Sequence, residues 1–354
     1  MNSMEQELMN MKILKRLALV GAFTFSLLNI CGQQTFAKSE NITIDGDHGK
    51  LIGVLQTPDQ QKNSPLVIIM HGFTANMENA PLTTLANALE KDGIASLRFD
   101  FNGHGKSEGR FQDMTVPNEI EDAKKVYDYA VKLPGVTSVS LAGHSQGGVV
   151  ASMTAGILGT QKIKSIALMA PAAVLREDAI RGILFGKQYD VSNLPEAVDI
   201  FNGLKLGANY VRTAQTLPIY ETASQYQGPA LMVHGTQDTV VPYTYSLRYQ
   251  RIYFHGELKL IPGEDHGFSK DTAGAVKLVA DFFHKQLKSP YREQLFLYVV
   301  RIEKRRYSGL RFSVRIFFCP FYTVAHHPNS ISNPAAGKHG QVHPQPRHLS
   351  QNLL

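Results

Sequence analysis

The chain has 354 residues, 43% hydrophobic and 19% charged, with 29 Gly and 17 Pro, a composition that excludes a wholly disordered, collagenous or coiled-coil protein. Its two cysteines, Cys31 and Cys319, exclude a disulfide framework and a cysteine metal site, and no apolar run reaches the roughly 18 residues of a clean membrane span. The net charge of +6 sits at the ends: residues 289–354 carry +7 and residues 1–37 carry +1, leaving 38–288 at −2, so the basic balance is no sign of a nucleic-acid partner.

Met11 to Ala37 reads as a secretory signal. Lys12, Lys15 and Arg16 form its basic start, Leu17 to Ile30 its apolar stretch, and Thr35-Phe36-Ala37 a small-x-small cleavage site before Lys38. Met11 is an alternative initiator to Met1, and lipoprotein processing at Cys31 or an uncleaved anchor are the alternatives to cleavage. A secreted or periplasmic protein is expected, with 1–37 removed, or a membrane-anchored one if the segment stays.

Residues 38–288 alternate strand and helix. Residues 42–56, with Gly46 and Gly53, suggest an opening hairpin. Pro65–Met70 is a continuous apolar run, as a strand buried on both faces requires. A helix at Pro81–Lys91, a strand at Ile94–Phe99, an amphipathic helix at Asn118–Leu133 and a strand at Val136–Leu141 follow. Then come a small-residue helix at Ser145–Leu158, strands at Ile163–Met169, Ala230–Val233 and Glu257–Ile261, and a closing helix at Thr272–Leu287. This rhythm predicts an α/β fold, a mainly parallel sheet with helices on both faces. It breaks at about 172–226, a stretch with six spaced aromatics, Phe185 and Tyr226 among them, which predicts an insertion over one sheet edge. Residues 289–354 show no sustained period and are expected to be a basic, poorly ordered tail. Their His326-His327 and His339 lack the spacing and carboxylate partners of a metal site, so no metal is expected.

Gly143-His144-Ser145-Gln146-Gly147 joins a strand to a helix, the setting of a nucleophile elbow, which marks Ser145 as nucleophile. The turn needs small flanking residues, and the helix start supplies N–H donors for an oxyanion. His71-Gly72-Phe73 follows the strand Pro65–Met70, so the backbone N–H groups of Phe73 and Gln146 are the expected oxyanion hole, with His71 supporting the loop. Asp238 and His266 end the loops after two later strands on the same rim, in the chain order expected of acid and base. The rivals are His104 as base, and Glu264, Asp265 and His234, which read better as loop solvation.

The strings His71-Gly72-Phe73-Thr74-Ala75-Asn76, RFDFNGHG (98–105), GHSQGGVVASM (143–153) and HGTQDTVV (234–241) resemble the bacterial feruloyl/cinnamoyl esterases of the α/β-hydrolase superfamily. The resemblance spans about residues 40–288. It implies an α/β-hydrolase fold with a small inserted lid and a cofactor-free serine esterase that releases hydroxycinnamic acids from plant cell-wall sugars. A small-molecule or oligosaccharide ester is the implied partner, with no nucleic acid and no stable membrane partner; oligomerisation stays open. It further implies that Asp178 and Tyr210 of the lid contact the substrate ring, where a helix cap and lid packing are the plainer alternatives. Phe185 departs from the pattern, which has a polar glutamine there. The competing functions are a short-chain acyl esterase or monoglyceride lipase with the same triad, a serine peptidase, and a binding module on an inactive hydrolase scaffold. A lipase calls for a long apolar lid, a peptidase for a peptide-gripping domain, and an inactive scaffold for a lost triad member.

Overall fold

The computed structural model describes residues 38–59, 63–184, 186–201 and 203–288; the N-terminal segment read as a secretory signal, the C-terminal region with its histidines, and Phe185 lie outside them. The described chain opens with an antiparallel hairpin of β1 (Lys38–Asp45) and β2 (Lys50–Thr57), longer at both ends than its sequence pattern suggests. Next come β3 (Ser64–Met70), helix α1 (Ala80–Lys91) and β4 (Ala95–Phe99). After a short 3-10 turn at Phe111–Asp113, α2 (Val116–Ala130), β5 (Val136–His144), α3 (Gln146–Leu158) and β6 (Ile163–Met169) continue the alternation. Helix α2 starts two residues earlier than the sequence pattern places it. Thr115 caps it by accepting from the Asn118 N–H at 3.3 Å, and Pro117 fits the first turn, where no N–H is needed.

The eight-stranded sheet also takes β11 (Ala230–Gly235) and β12 (Gly256–Ile261), in the order β1-β2-β4-β3-β5-β6-β11-β12. From β4 to β12 every neighbouring pair is parallel; β1 and β2 add an antiparallel edge. Strand β3 shows why the sheet is central. All seven residues are buried, with Leu66, Ile68 and Met70 entering one core and Val67 and Ile69 the other. Helices α1 and α8 (Thr272–Leu287) cover the second core, through residues such as Leu85, Leu89, Val279 and Phe283. Helices α2 and α3 cover the first, joined by α7 (Thr244–Ile252), which the sequence reading omitted. Each fully buried aliphatic side chain contributes about 1.5–3 kcal/mol from area removed from water.

The chain moves from β3 outward to β4 and then back across β3 to β5. That reversal makes the β3–β5 boundary the place where an open α/β sheet leaves a crevice at its carboxyl ends. The register pairs Met70 with Gly143, so the loops that follow leave the sheet side by side.

Between β6 and β11 lies the insertion, built from α4 (Val174–Arg181), β7 (Ile183–Leu184), β8 (Lys187–Gln188), β9 (Ala197–Asp199), β10 (Lys205–Gly207), α5 (Ala208–Gln215) and α6 (Ile219–Ala223). Two glycines admit its feet. A Cβ at Gly156 of α3 would stand 2.0 Å from the Thr222 carbonyl oxygen, and one at Gly207 would stand 2.3 Å from that of Gln112.

Candidate active site

Ser145 sits between β5 and α3 at φ 57° and ψ −124°, a left-handed conformation that a non-glycine residue adopts only when its surroundings impose it. The surroundings are tight. A Cβ at Gly143 would lie 2.1 Å from the Gly147 carbonyl oxygen, and one at Gly147 would lie 2.3 Å from that of His71. Both glycines of the motif are therefore steric requirements. The Ser145 N–H donates to the Met169 carbonyl at 2.9 Å, which pins the turn to β6.

Three loops meet here. His266 Nε2 lies 2.9 Å from Ser145 Oγ, and His266 Nδ1 lies 2.7 Å from Asp238 Oδ2. An ionised carboxylate only accepts, so His266 carries its proton on Nδ1 and turns the Nε2 lone pair to the serine hydroxyl. The Asp238 side chain is wholly buried. Burial raises its proton affinity, but hydrogen bonds from His234 and His266, and from the Val241 N–H, outweigh that and hold it well below the usual carboxylate range.

Phe73 borders a cavity of about 300 Å³ beside Ser145, which Gly72, Thr74, His144, His266, Phe201 and Val240 also line. The loop of Phe73 approaches closely, since a Cβ at Gly72 would stand 3.3 Å from Ser145 Oγ. His71 sets the direction of the next peptide. Its Nδ1 donates to the Gly72 carbonyl at 2.8 Å while its Nε2 accepts from the Phe101 N–H at 3.1 Å. In a trans peptide the N–H opposes the C=O, so holding the Gly72 oxygen also orients the Phe73 N–H. Gln146 is the first residue of α3, with its backbone N–H at the helix start.

A family model described as serine aminopeptidase, S33, matches residues 61–191, the stretch with the Phe73 loop and the turn at Ser145. The structure of Est1E from Butyrivibrio proteoclasticus with ferulic acid bound is similar at 37% identity and a TM-score of 0.67, covering 69% of this chain and 98% of that one. This chain belongs to the α/β-hydrolase family. Human Protein ABHD12B is 27% identical over 63% of this chain and 61% of its own length, and mouse mitochondrial palmitoyl-protein thioesterase ABHD10 is 22% identical over 52% and 62%. The hydrolase thus spans about three fifths of the length of these curated relatives.

The structure sorts the remaining candidates of this α/β-hydrolase. His104 is buried against His71 and Phe111, with ring centroids 4.9 and 5.1 Å away, while the Ser145 hydroxyl is bonded to His266. Glu264 and Asp265 fasten the His266 loop: Glu264 accepts from the Asp265 N–H, and Asp265 accepts from the N–H groups of Gly267 and Ser269. His234 is not loop solvation. It is fully buried, and its Nε2 lies 3.0 Å from Asp238 Oδ2, so two histidines share one carboxylate oxygen. The i,i+4 spacing of His234 and Asp238 was the available signal. His144, unassigned from sequence, holds the His266 carbonyl through Nε2 at 2.8 Å.

The lid pair divides. Asp178 is half-buried within α4, away from its N-terminal cap, and burial raises its carboxyl above the ordinary value. Tyr210 is buried, and its hydroxyl donates to Gln146 Oε1 at 2.7 Å. A buried hydroxyl needs a partner, and for Tyr210 the side chain beside Ser145 provides it, alongside the lid packing that was the plainer alternative.

Burial pushes His71 and His144 down to about 4 and His104 down to about 3, from an ordinary 6.5. In the unfolded chain these rings take up protons as pH falls through 6.5, and in the native protein they do not. Their contribution to stability is thus complete above 6.5 and is lost as pH falls towards 4, by on the order of 1 kcal/mol per ring per pH unit. Burial raises Glu119 and Asp122, so these carboxyls run the opposite way. The clean measurement is therefore the difference between wild type and His104→Leu in thermal midpoint from pH 7 to 5. His104→Leu should lose less stability on acidification; parallel slopes would show that His104 titrates normally.

Proposed function

We propose that this α/β-hydrolase is a serine carboxylesterase that cleaves hydroxycinnamate esters of the feruloyl type, such as those of plant cell-wall polysaccharide, through an acyl-enzyme. The contact that carries the reading is the 2.9 Å approach of Ser145 Oγ to His266 Nε2, beside a cavity bordered by Phe73. His266 takes the serine proton as Oγ attacks the ester carbonyl, and Asp238 stabilises the resulting imidazolium. The carbonyl oxygen, now an anion, accepts from the N–H groups of Phe73 and Gln146. His266 returns the proton to the leaving alcohol, and water then repeats the cycle on the acyl-serine to release the acid. The ferulic acid bound to Est1E supports a flat phenolic acyl group. Asp178, half-buried with a raised carboxyl, is the proposed partner of the ring hydroxyl. The leader read from residues 11–37 fits a site of action outside the cytoplasm, where polymer-linked esters are met.

The apolar Phe201 and Val240 at the cavity favour a second reading, a short-chain acyl esterase. Hydrolysis of methyl ferulate, p-nitrophenyl butyrate and a long-chain ester separates the two. Methyl ferulate should be cleaved efficiently, and Asp178→Ala should lower its kcat/KM by a few-fold to about tenfold, with p-nitrophenyl acetate unaffected. Rapid butyrate cleavage without measurable ferulate cleavage would favour the second reading.

A further inference from the structure

Behind the elbow lies a buried polar chain that the acyl-transfer steps do not use. Gln146 follows the nucleophile, and its side chain is buried. Its Nε2 donates to Glu119 Oε2 at 2.8 Å, while its Oε1 accepts from the Tyr210 hydroxyl at 2.7 Å. Glu119 belongs to α2 and Tyr210 to α5 of the insertion, so three separate elements meet at one amide. The Tyr210 ring also packs against Phe73, with centroids 5.6 Å apart. One lid tyrosine therefore holds Gln146 by a hydrogen bond and Phe73 by its ring.

We propose that Glu119 and Tyr210 are positioning residues of the oxyanion hole, acting through the Gln146 side chain. The role rests on the reading of Ser145 as nucleophile and of the Phe73 and Gln146 amides as donors. An amide stabilises the oxyanion only when aimed at the place where charge develops. Gln146 is anchored at its far end in a dry site, where losing either partner would leave a buried polar group unsatisfied. That anchor restrains the residue whose own N–H is the donor. Tyr210 extends the restraint to the second donor residue, so the lid and the catalytic amides form one assembly. Glu119 is also buried; burial raises its carboxyl well above the ordinary range, the Gln146 amide pulls it back, and Asp122 adds to the rise.

The test uses the full chain, with two readouts: the rate at which a fluorophosphonate labels Ser145, and turnover of p-nitrophenyl acetate. Tyr210→Phe keeps the ring and loses the hydroxyl; Glu119→Met keeps the length and loses the acceptor. Removing an oxyanion donor outright typically costs about 10²–10³ in kcat, so a loosened donor should cost about tenfold in labelling rate and in kcat, with KM within about twofold. Glu119→Gln retains an acceptor for Gln146 Nε2 and should recover most of the rate. Thermal midpoints identify any variant that fails to fold; if Glu119→Met does so, Tyr210→Phe decides. Wild-type labelling and turnover in Tyr210→Phe would overturn the proposal. So would a loss confined to methyl ferulate, which would make Tyr210 a substrate contact. If the wild type accepts the label but cleaves no carboxyl ester, the esterase reading falls, and the labelling rates still judge the positioning role.

Discussion

Ser145→Ala is expected to lower kcat for any ester by at least about 10³-fold while leaving the fold intact, because the residues of such a triad act as a unit. The site predicts both halves of that result. The elbow imposes φ 57° on this position, and alanine carries the same Cβ as serine, so the backbone strain is unchanged. What disappears is the nucleophilic oxygen, together with its contact at 2.9 Å to His266 Nε2. Thermal unfolding should stay within a few degrees of wild type, since a single partly exposed hydrogen bond contributes about 1 kcal/mol. A fluorophosphonate should no longer label the protein. Turnover above a few per cent of wild type in the pure variant would remove Ser145 from the mechanism.

The second large effect distinguishes two histidines. His266→Ala should be about as inactive as Ser145→Ala, because no other ring is bonded to the serine hydroxyl among the described residues. His104→Ala should keep a sizeable fraction of wild-type kcat and lose stability instead. Its ring fills space between His71 and Phe111, and truncating a buried ring opens a cavity. Measuring kcat and the thermal midpoint for both variants decides the matter. An inactive but stable His104→Ala beside an active His266→Ala would reverse the assignment of the base.

The positions of these groups were legible where local chemistry forces a local structure. The run Pro65–Met70 is apolar at every position because its strand lies between two cores, and Gly143 and Gly147 flank Ser145 because nothing larger fits. Helix α7 escaped because its buried face is Tyr245, Ser246 and Tyr249, residues whose polar atoms mask the helical period. The insertion escaped in detail because strands of two or three residues leave no period to read. His234 was misjudged for a different reason. A histidine beside an aspartate reads the same in sequence whether the pair is solvated or buried, and only the packing of α7, which brings Ser246 to within 2.7 Å of His234 Nδ1, settles it. The Tyr210–Gln146 bond joins residues 64 positions apart and leaves no trace in either neighbourhood.

The feet of the insertion have a consequence for exchanging parts between hydrolases. At one foot the glycine, Gly156, belongs to the body and the carbonyl it admits belongs to the insertion; at the other the roles are swapped, with Gly207 in the insertion and Gln112 in the body. Body and lid fit as a reciprocal joint, each half holding one socket and one plug. A foreign lid grafted at 172–226 would have to bring its own glycine for Gln112 and a backbone that enters the gap at Gly156. The part of the insertion ahead of both feet, which carries Asp178 and Phe201, is under neither constraint and is the part open to redesign of substrate range.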